Sequence, residues 1–190
     1  MTATADDYAW IHDTELQAAC CLTVVTGRSA DDVLTTLGIA LDQAAPAGPG
    51  ARVATSPHGP APAPVGVLEV PGGVLVVEDD GYLCSLPEVL TRLSATGRAA
   101  SVFWNVNDLM AFTYAAGGED AGQVDLYDAE DPAYAEEVDL PVELRYLFES
   151  AGDEDADLHA TGLALVEAYT GVPVSAEDLA RLDVEALQDR

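Results

Sequence analysis

Asp153-Glu-Asp155-Ala-Asp157 sets acids at alternate positions, the spacing with which a calcium-binding loop opens, because carboxylates so placed can converge on a hard cation. The remainder of that pattern is missing: Leu158 stands where the sharp turn needs glycine, and Ala164 where a bidentate glutamate belongs. The segment therefore reads as a solvated acidic loop ahead of a helix, and Asp79-Asp80 before Gly81 reads as a strand-end turn. His12, His58 and His159 show no HxxxH or HxxE spacing, so they do catalytic or metal chemistry only if the fold gathers them. Cys20, Cys21 and Cys84 match neither an even disulfide framework nor a CxxC metal pattern, and no basic or helix-dipole environment lowers their pKa. They read as buried free thiols. Phe103-Trp-Asn-Val-Asn-Asp-Leu-Met110 admits two readings: Trp104 with Asn105 and Asn107 as a recognition surface, or Trp104 packed with Val102 and Val106 in the core while the asparagines shape a turn. The second is preferred.

Several chemistries are excluded by composition. The 7 basic residues are all arginines, which removes a Walker loop, a Schiff base and a lysine general base. No GxSxG is present. Against those 7 arginines stand 34 acids, a formal net charge of -27. This field repels nucleic-acid phosphate and anionic membrane and favours cationic partners, metal ions or a very salty medium. The acids are concentrated: Glu119 to Asp157 holds fifteen carboxylates and one arginine, Arg145.

The elements that must position these residues follow from pattern. Ser29-Ala-Asp-Asp32, Ser85-Leu-Pro-Glu88 and Ser175-Ala-Glu-Asp178 each offer a capping serine with an acid three residues on, ahead of helically spaced apolar residues. Gly38 and Gly97 stand where left-handed C-caps are expected. Strands are read at Cys21 to Thr26 and at Val65 to Val70 and Gly73 to Val77, the latter two a hairpin through Pro71-Gly72-Gly73. From Ala99 to Tyr127 a period-two pattern predicts three strands in a meander. The C-terminal third is helical, with Pro141 in a first turn and Asp157 opening a helix that ends before Gly171. Residues 43–64 carry six prolines and three glycines and read as a long loop within a single domain spanning 1–190. The expected fold is α+β: a mostly antiparallel sheet, short capped helices on one face and a helical C-terminal third. The expected core includes Leu22, Val24, Val33, Leu34, Leu37, Val76, Leu90, Leu93, Val102, Trp104 and Leu126. The acidic start lacks the basic and apolar regions of a signal peptide, and no apolar run is long enough to span a membrane, so a cytoplasmic protein is expected.

Four segments carry a resemblance: Tyr8-Ala-Trp10-Ile, Leu22-Thr-Val-Val-Thr-Gly-Arg-Ser-Ala-Asp-Asp-Val-Leu34, Arg92-Leu-Ser-Ala-Thr-Gly-Arg-Ala-Ala-Ser-Val-Phe-Trp-Asn-Val-Asn107 and Ala164-Leu-Val-Glu-Ala-Tyr-Thr-Gly-Val172. Together they resemble an actinobacterial family of unknown function over most of the chain. The resemblance implies a single domain in a bacterial cytoplasm and supplies no catalytic residue.

The sequence thus points to a non-enzymatic acidic interaction protein docking a basic protein partner, immunity-like or nucleic-acid-mimic-like, without cofactor, direct nucleic-acid binding or membrane contact. The candidate docking residues are Glu119, Asp120, Asp125, Asp128, Glu130, Asp131, Glu136, Glu137, Asp153, Glu154 and Asp155, with Asn105 and Asn107. The alternative is a small hydrolase-like enzyme whose site the fold assembles, for instance from His12 or His159 with nearby acids. No metal site is assigned. Neither acid cluster supplies the six or more preorganised oxygens of a calcium site, so calcium and magnesium should raise the melting temperature alike, and only at millimolar concentration. A calcium-selective shift at micromolar concentration, abolished by Asp155→Asn in a thermal melt, would contradict this.

Overall fold

Cys20–Val25 (β1) is buried at every position, which is what a run of Cys-Cys-Leu-Thr-Val-Val demands: with little to show to water on either face, it must be covered on both. The computed structural model describes residues 3–56 and 63–182. In it β1 lies between two antiparallel neighbours, Gly73–Asp79 and Arg98–Asn105. Leu22 stands opposite Val77 on one side and Val102 on the other.

In chain order the elements after β1 are α1 (Ala30–Thr36), β2 (Ala45–Gly48), β3 (Ala51–Ser56), β4 (Ala63–Val70), β5 (Gly73–Asp79), α2 (Pro87–Leu93), β6 (Arg98–Asn105), β7 (Leu109–Ala116), β8 (Gly122–Asp125), α3 (Pro132–Glu137), α4 (Arg145–Ala151), α5 (Leu158–Thr170) and α6 (Ala176–Leu182). A 3-10 helix, Ala5–Asp13, precedes β1. The strands form one antiparallel eight-stranded sheet among the described residues, in the order β2-β3-β4-β5-β1-β6-β7-β8. The fold is α+β. The chain leaves β1 through α1, returns as the β2 to β5 meander, and passes over β1 through α2 to continue as β6, β7 and β8.

Each face of the sheet has its own core. Cys21, Val25, Val65, Val67, Val76 and Phe103 pack with Val33, Leu34 and Leu37 of α1 and Val89, Leu90 and Leu93 of α2. The opposite face presents Leu22, Val24, Leu68, Val102, Trp104 and Phe112 to Tyr8 and Ile11, to Leu147 and Phe148 of α4, and to Leu163, Val166 and Leu179 of α5 and α6. The helices α1 and α2 therefore do share a face, and the helical C-terminal third covers the other, Ser175 and its helix included. Leu22, Val24, Val33, Leu34, Leu37, Val76, Leu90, Leu93, Val102, Trp104 and Leu126 are all buried as expected.

Four local expectations are corrected. Residues 43–64 are not a loop throughout: β2 and β3 occupy Ala45–Gly48 and Ala51–Ser56, and β4 begins at Ala63. Pro46 lies on the edge strand β2, where proline is tolerated, Pro49 in the β2–β3 turn and Pro64 near the start of β4; residues 57–62 lie outside the described ones. Ser85 does not cap α2. Leu86 is its N-cap and Pro87 its first residue, while the buried Ser85 hydroxyl donates to Tyr82 O at 2.7 Å. Gly38 has φ 75° as a left-handed cap requires, but Gly97 does not share that conformation. It is glycine for a different reason: a Cβ there would meet Thr26 O at 2.4 Å, at the crossing from α2 into β6. Val106 is 76% exposed, so it belongs to the β6–β7 turn, not to the core beside Trp104.

The first and third capping serines are as expected. Ser29 and Asp32 form a reciprocal capping box, and the Ser175 hydroxyl donates to Asp178 Oδ2 at 2.7 Å while accepting from its N–H. Arg98 fastens the end of α5 to the sheet, donating to Tyr169 O at 2.8 Å with its guanidinium 5.2 Å from the Tyr169 ring centre.

Because the obstruction at Gly97 is backbone rather than a movable side chain, Gly97→Ala should destabilise the fold by about 1–3 kcal/mol. Urea denaturation measures this as a lowered midpoint; an unchanged midpoint would mean that the crossing has slack.

Candidate functional site

The acidic segments meet at one end of the sheet. Leu126 is buried and donates its N–H to Met110 O at 2.8 Å, which holds the 3-10 turn Tyr127–Glu130 against β7. Gly152, just after α4, lies so close to Ala129 that a Cβ would fall 2.6 Å from its carbonyl oxygen. That approach draws the α4–α5 connection alongside the turn. Between them is an open concavity of about 530 Å³, with Tyr127 and Leu158 as apolar surface and Glu130, Asp153 and Glu154 as acids.

The other candidate docking residues separate by place. Asp128 and Asp131 are exposed on the same turn, though Asp131 is engaged in capping α3 through Ala133 N–H at 2.9 Å. Asp155 is exposed beside Asp153 and Glu154, and Glu136 and Glu137 are exposed on α3. Asp125 is partly buried; burial raises its carboxyl above the ordinary range, offset in part by the Tyr127 N–H it accepts at 3.0 Å. Glu119 and Asp120 are not gathered with these residues. They sit in the β7–β8 turn, at the far end of β7, an eight-residue strand spanning about 25 Å. Asn105 accepts from Asn107 N–H at 2.8 Å and so shapes the β6–β7 turn, with Asp108 at φ 54° completing it.

The same end of the sheet assembles a group no linear spacing reveals. His12, from the last turn of the Ala5–Asp13 helix, places Nε2 2.8 Å from Asp157 Oδ2. Asp157 is also the N-cap of α5: its Oδ1 accepts from Ala160 N–H at 3.1 Å. One residue into α5, His159 stands edge-on to His12, ring centres 5.7 Å apart, and edge-on to Trp104 at 5.0 Å. Burial, and then the neighbouring His12, lower the His159 pKa. Trp104 is fixed in turn by donating Nε1–H to Leu16 O at 2.9 Å. His58 lies outside the described residues. The signal missed in the sequence is that Asp157 and His159 flank a helix start while His12 closes a helix that packs on it. Each pattern was visible, but their contact is tertiary.

A family model described as a family of unknown function, DUF6461, matches residues 1–184. The chain belongs to that family. No curated protein and no solved structure matches it.

A third polar group of this DUF6461 member is sealed beneath the 3-10 turn Leu83–Ser85 that leads into α2. Glu78 is 1% exposed and accepts from Leu83 N–H at 2.9 Å and Cys84 N–H at 2.8 Å. Cys21 meets Ser101 Oγ at 3.1 Å, and Thr23 donates to the same oxygen at 3.0 Å. Burial pushes all three thiols well above their ordinary value, which keeps them protonated and inert as nucleophiles. All three cysteines are free. Burial also raises the Glu78 carboxyl, against the opposing pull of the Cys84 and Leu83 donors.

A folded-state pKa raised above the unfolded one means that the native protein holds this proton more tightly. The contribution to stability is then fully present below the ordinary glutamate value and is lost as pH rises through the elevated one. The unfolding free energy of the wild type relative to Glu78→Gln, which does not titrate, should fall as pH rises above the ordinary glutamate range in urea melts. A difference that grows with pH would show that the two N–H donors outweigh burial.

Proposed function

We propose that this DUF6461 protein is a non-enzymatic acidic interaction protein that docks a basic protein partner, in the manner of immunity-like or nucleic-acid-mimic-like proteins. The observation that carries this reading is the concavity in which Glu130, Asp153 and Glu154 surround Tyr127 and Leu158. Arginine and lysine have the matching shape: an apolar stem to lie on the tyrosine and leucine, and a cationic head for the acids. A half-exposed tyrosine at such a place is also the residue type that anchors interfaces. The net charge of -27 steers a basic partner towards the site and opposes direct binding to nucleic acid or anionic membrane. Among the described residues no helix is long and apolar enough to cross a membrane. Three buried free thiols accord with a reducing, cytoplasmic setting.

A second reading, a small hydrolase-like enzyme with a site assembled by the fold, draws support from the meeting of His12, Asp157 and His159. The docking reading is preferred because the acids and the apolar surface form one concavity, whereas the lining of that concavity does not include the histidines.

Immobilised wild-type protein should retain a basic partner from bacterial lysate at about 0.1 M salt and release it at about 1 M. The triple variant Glu130→Gln, Asp153→Asn, Glu154→Gln should retain at least about tenfold less, and Glu119→Gln with Asp120→Asn, at the far end of β7, should retain it normally. Equal capture by both variants, or capture indifferent to salt, overturns the proposal.

A further inference from the structure

We infer that His12, Asp157 and His159 form a binding site for one transition-metal ion of the zinc class. The inference is independent of the docking reading, since the three residues lie outside the lining of the acidic concavity.

The ligand atoms of the three side chains all lie within 4.8 Å of one another. Two imidazole nitrogens and one carboxylate oxygen are the donor set of zinc and its first-row neighbours, whereas calcium and magnesium take oxygen donors. Around a tetrahedral zinc with bonds of about 2.0–2.2 Å, neighbouring donors stand roughly 3.4 Å apart. Closing from the observed span needs only small side-chain rotations, and the side chains of His12 and Asp157 are 45% and 33% exposed, leaving them room to rotate.

The cluster is held as a site would be. Asp157 spends one oxygen on the Ala160 N–H and turns the other to His12. His159 rests against the fixed indole of Trp104. The segment carrying His12 is clamped to α5 by Tyr8, whose hydroxyl donates to Glu167 Oε2 at 2.7 Å. Metal binding replaces the hydrogen bond between His12 and Asp157 by two coordinate bonds, the neutral imidazole that binds through one ring nitrogen keeping its hydrogen on the other. Three protein ligands leave a fourth position for water, the arrangement of an exchangeable rather than a closed structural site.

The bland alternative is that His12 and Asp157 are only a surface ion pair tying the N-terminal helix to α5, and the two are separable. Chelator-stripped full-length protein should bind one zinc ion at about micromolar Kd or tighter in a calorimetric titration, with magnesium and calcium giving no saturable heat at the same concentrations. Cobalt(II) should develop the visible absorption of a tetrahedral site. His12→Ala and His159→Ala should each weaken zinc binding by about 100-fold or more, since loss of even an outer-shell partner costs 10–100-fold. Asp157→Asn keeps the helix cap, asparagine being as good an N-cap as aspartate, yet removes the anionic donor; it should fold normally and bind weakly. Replacement of all three cysteines by alanine should leave binding intact, which excludes the thiols as the zinc ligands. Absence of 1:1 uptake in the folded wild type, or uptake that survives the three ligand variants, overturns the inference. So does a fall in melting temperature on His12→Ala that is the same with and without zinc.

Discussion

The requirement that β1 be covered on both faces governs the remainder of the structure. A strand reading Cys-Cys-Leu-Thr-Val-Val cannot sit at an edge or face water, because each buried Val or Leu side chain contributes about 1.5–3 kcal/mol only while it is out of solvent. It must therefore have a strand on each side and a layer above and below. The chain meets the first need by building the β2 to β5 meander on one flank and β6 to β8 on the other. It meets the second by sending α1 and α2 to one face and the N-terminal and C-terminal helices to the other. Two apolar faces claim so many residues that most acids among the described residues fall on helix exteriors, turns and the ends of the sheet, where water and salt reduce their mutual repulsion.

Glu78 shows what happens where an acid is caught inside this arrangement. Its carboxylate closes the backbone of the turn leading into α2, taking up the N–H groups of Leu83 and Cys84 that a 3-10 turn leaves without partners. Truncation to alanine would strand both donors in a dry interior, at a cost of about 1–3 kcal/mol for each unsatisfied group. The residue is structural, and the thiols and hydroxyls beside it complete a polar seam between the sheet and α2.

Much of the fold was legible because its signals are local. The period-two run from Ala99, the Pro71-Gly72-Gly73 turn and the capping boxes at Ser29 and Ser175 each carry their meaning within a few residues, and each corresponds to an observed element. Residues 43–64 misled because proline and glycine mark loops and edge strands alike, and only the presence of β4 to pair with distinguishes them. Ser85 misled because two capping registers were available and Pro87 at the first helical position prevailed over the serine two residues earlier. The candidate site was legible in part. Composition located the acids but not the close approach of Gly152 to Ala129 that makes two acidic segments into one concavity. The sequence offers His12 or His159 with nearby acids only as a site for the fold to assemble; that both histidines meet at Asp157 is a tertiary fact, joining residues 145 positions apart.

The two margins of the sheet carry a further consequence, for self-association. An open eight-stranded sheet has two rims of unpaired backbone amides and carbonyls, each able to accept a strand from another molecule and begin a fibril. Here both rims are four-residue strands, β2 and β8. Pro46 removes a donor from the first, and on the second the Tyr134 hydroxyl takes up the Asp125 N–H at 2.9 Å. The apolar strands that would aggregate most readily, β1 and β5, stand three or more positions from either rim. A chain this rich in valine thus stays resistant to edge-to-edge stacking through the order of its strands, even where salt removes the protection of its charge.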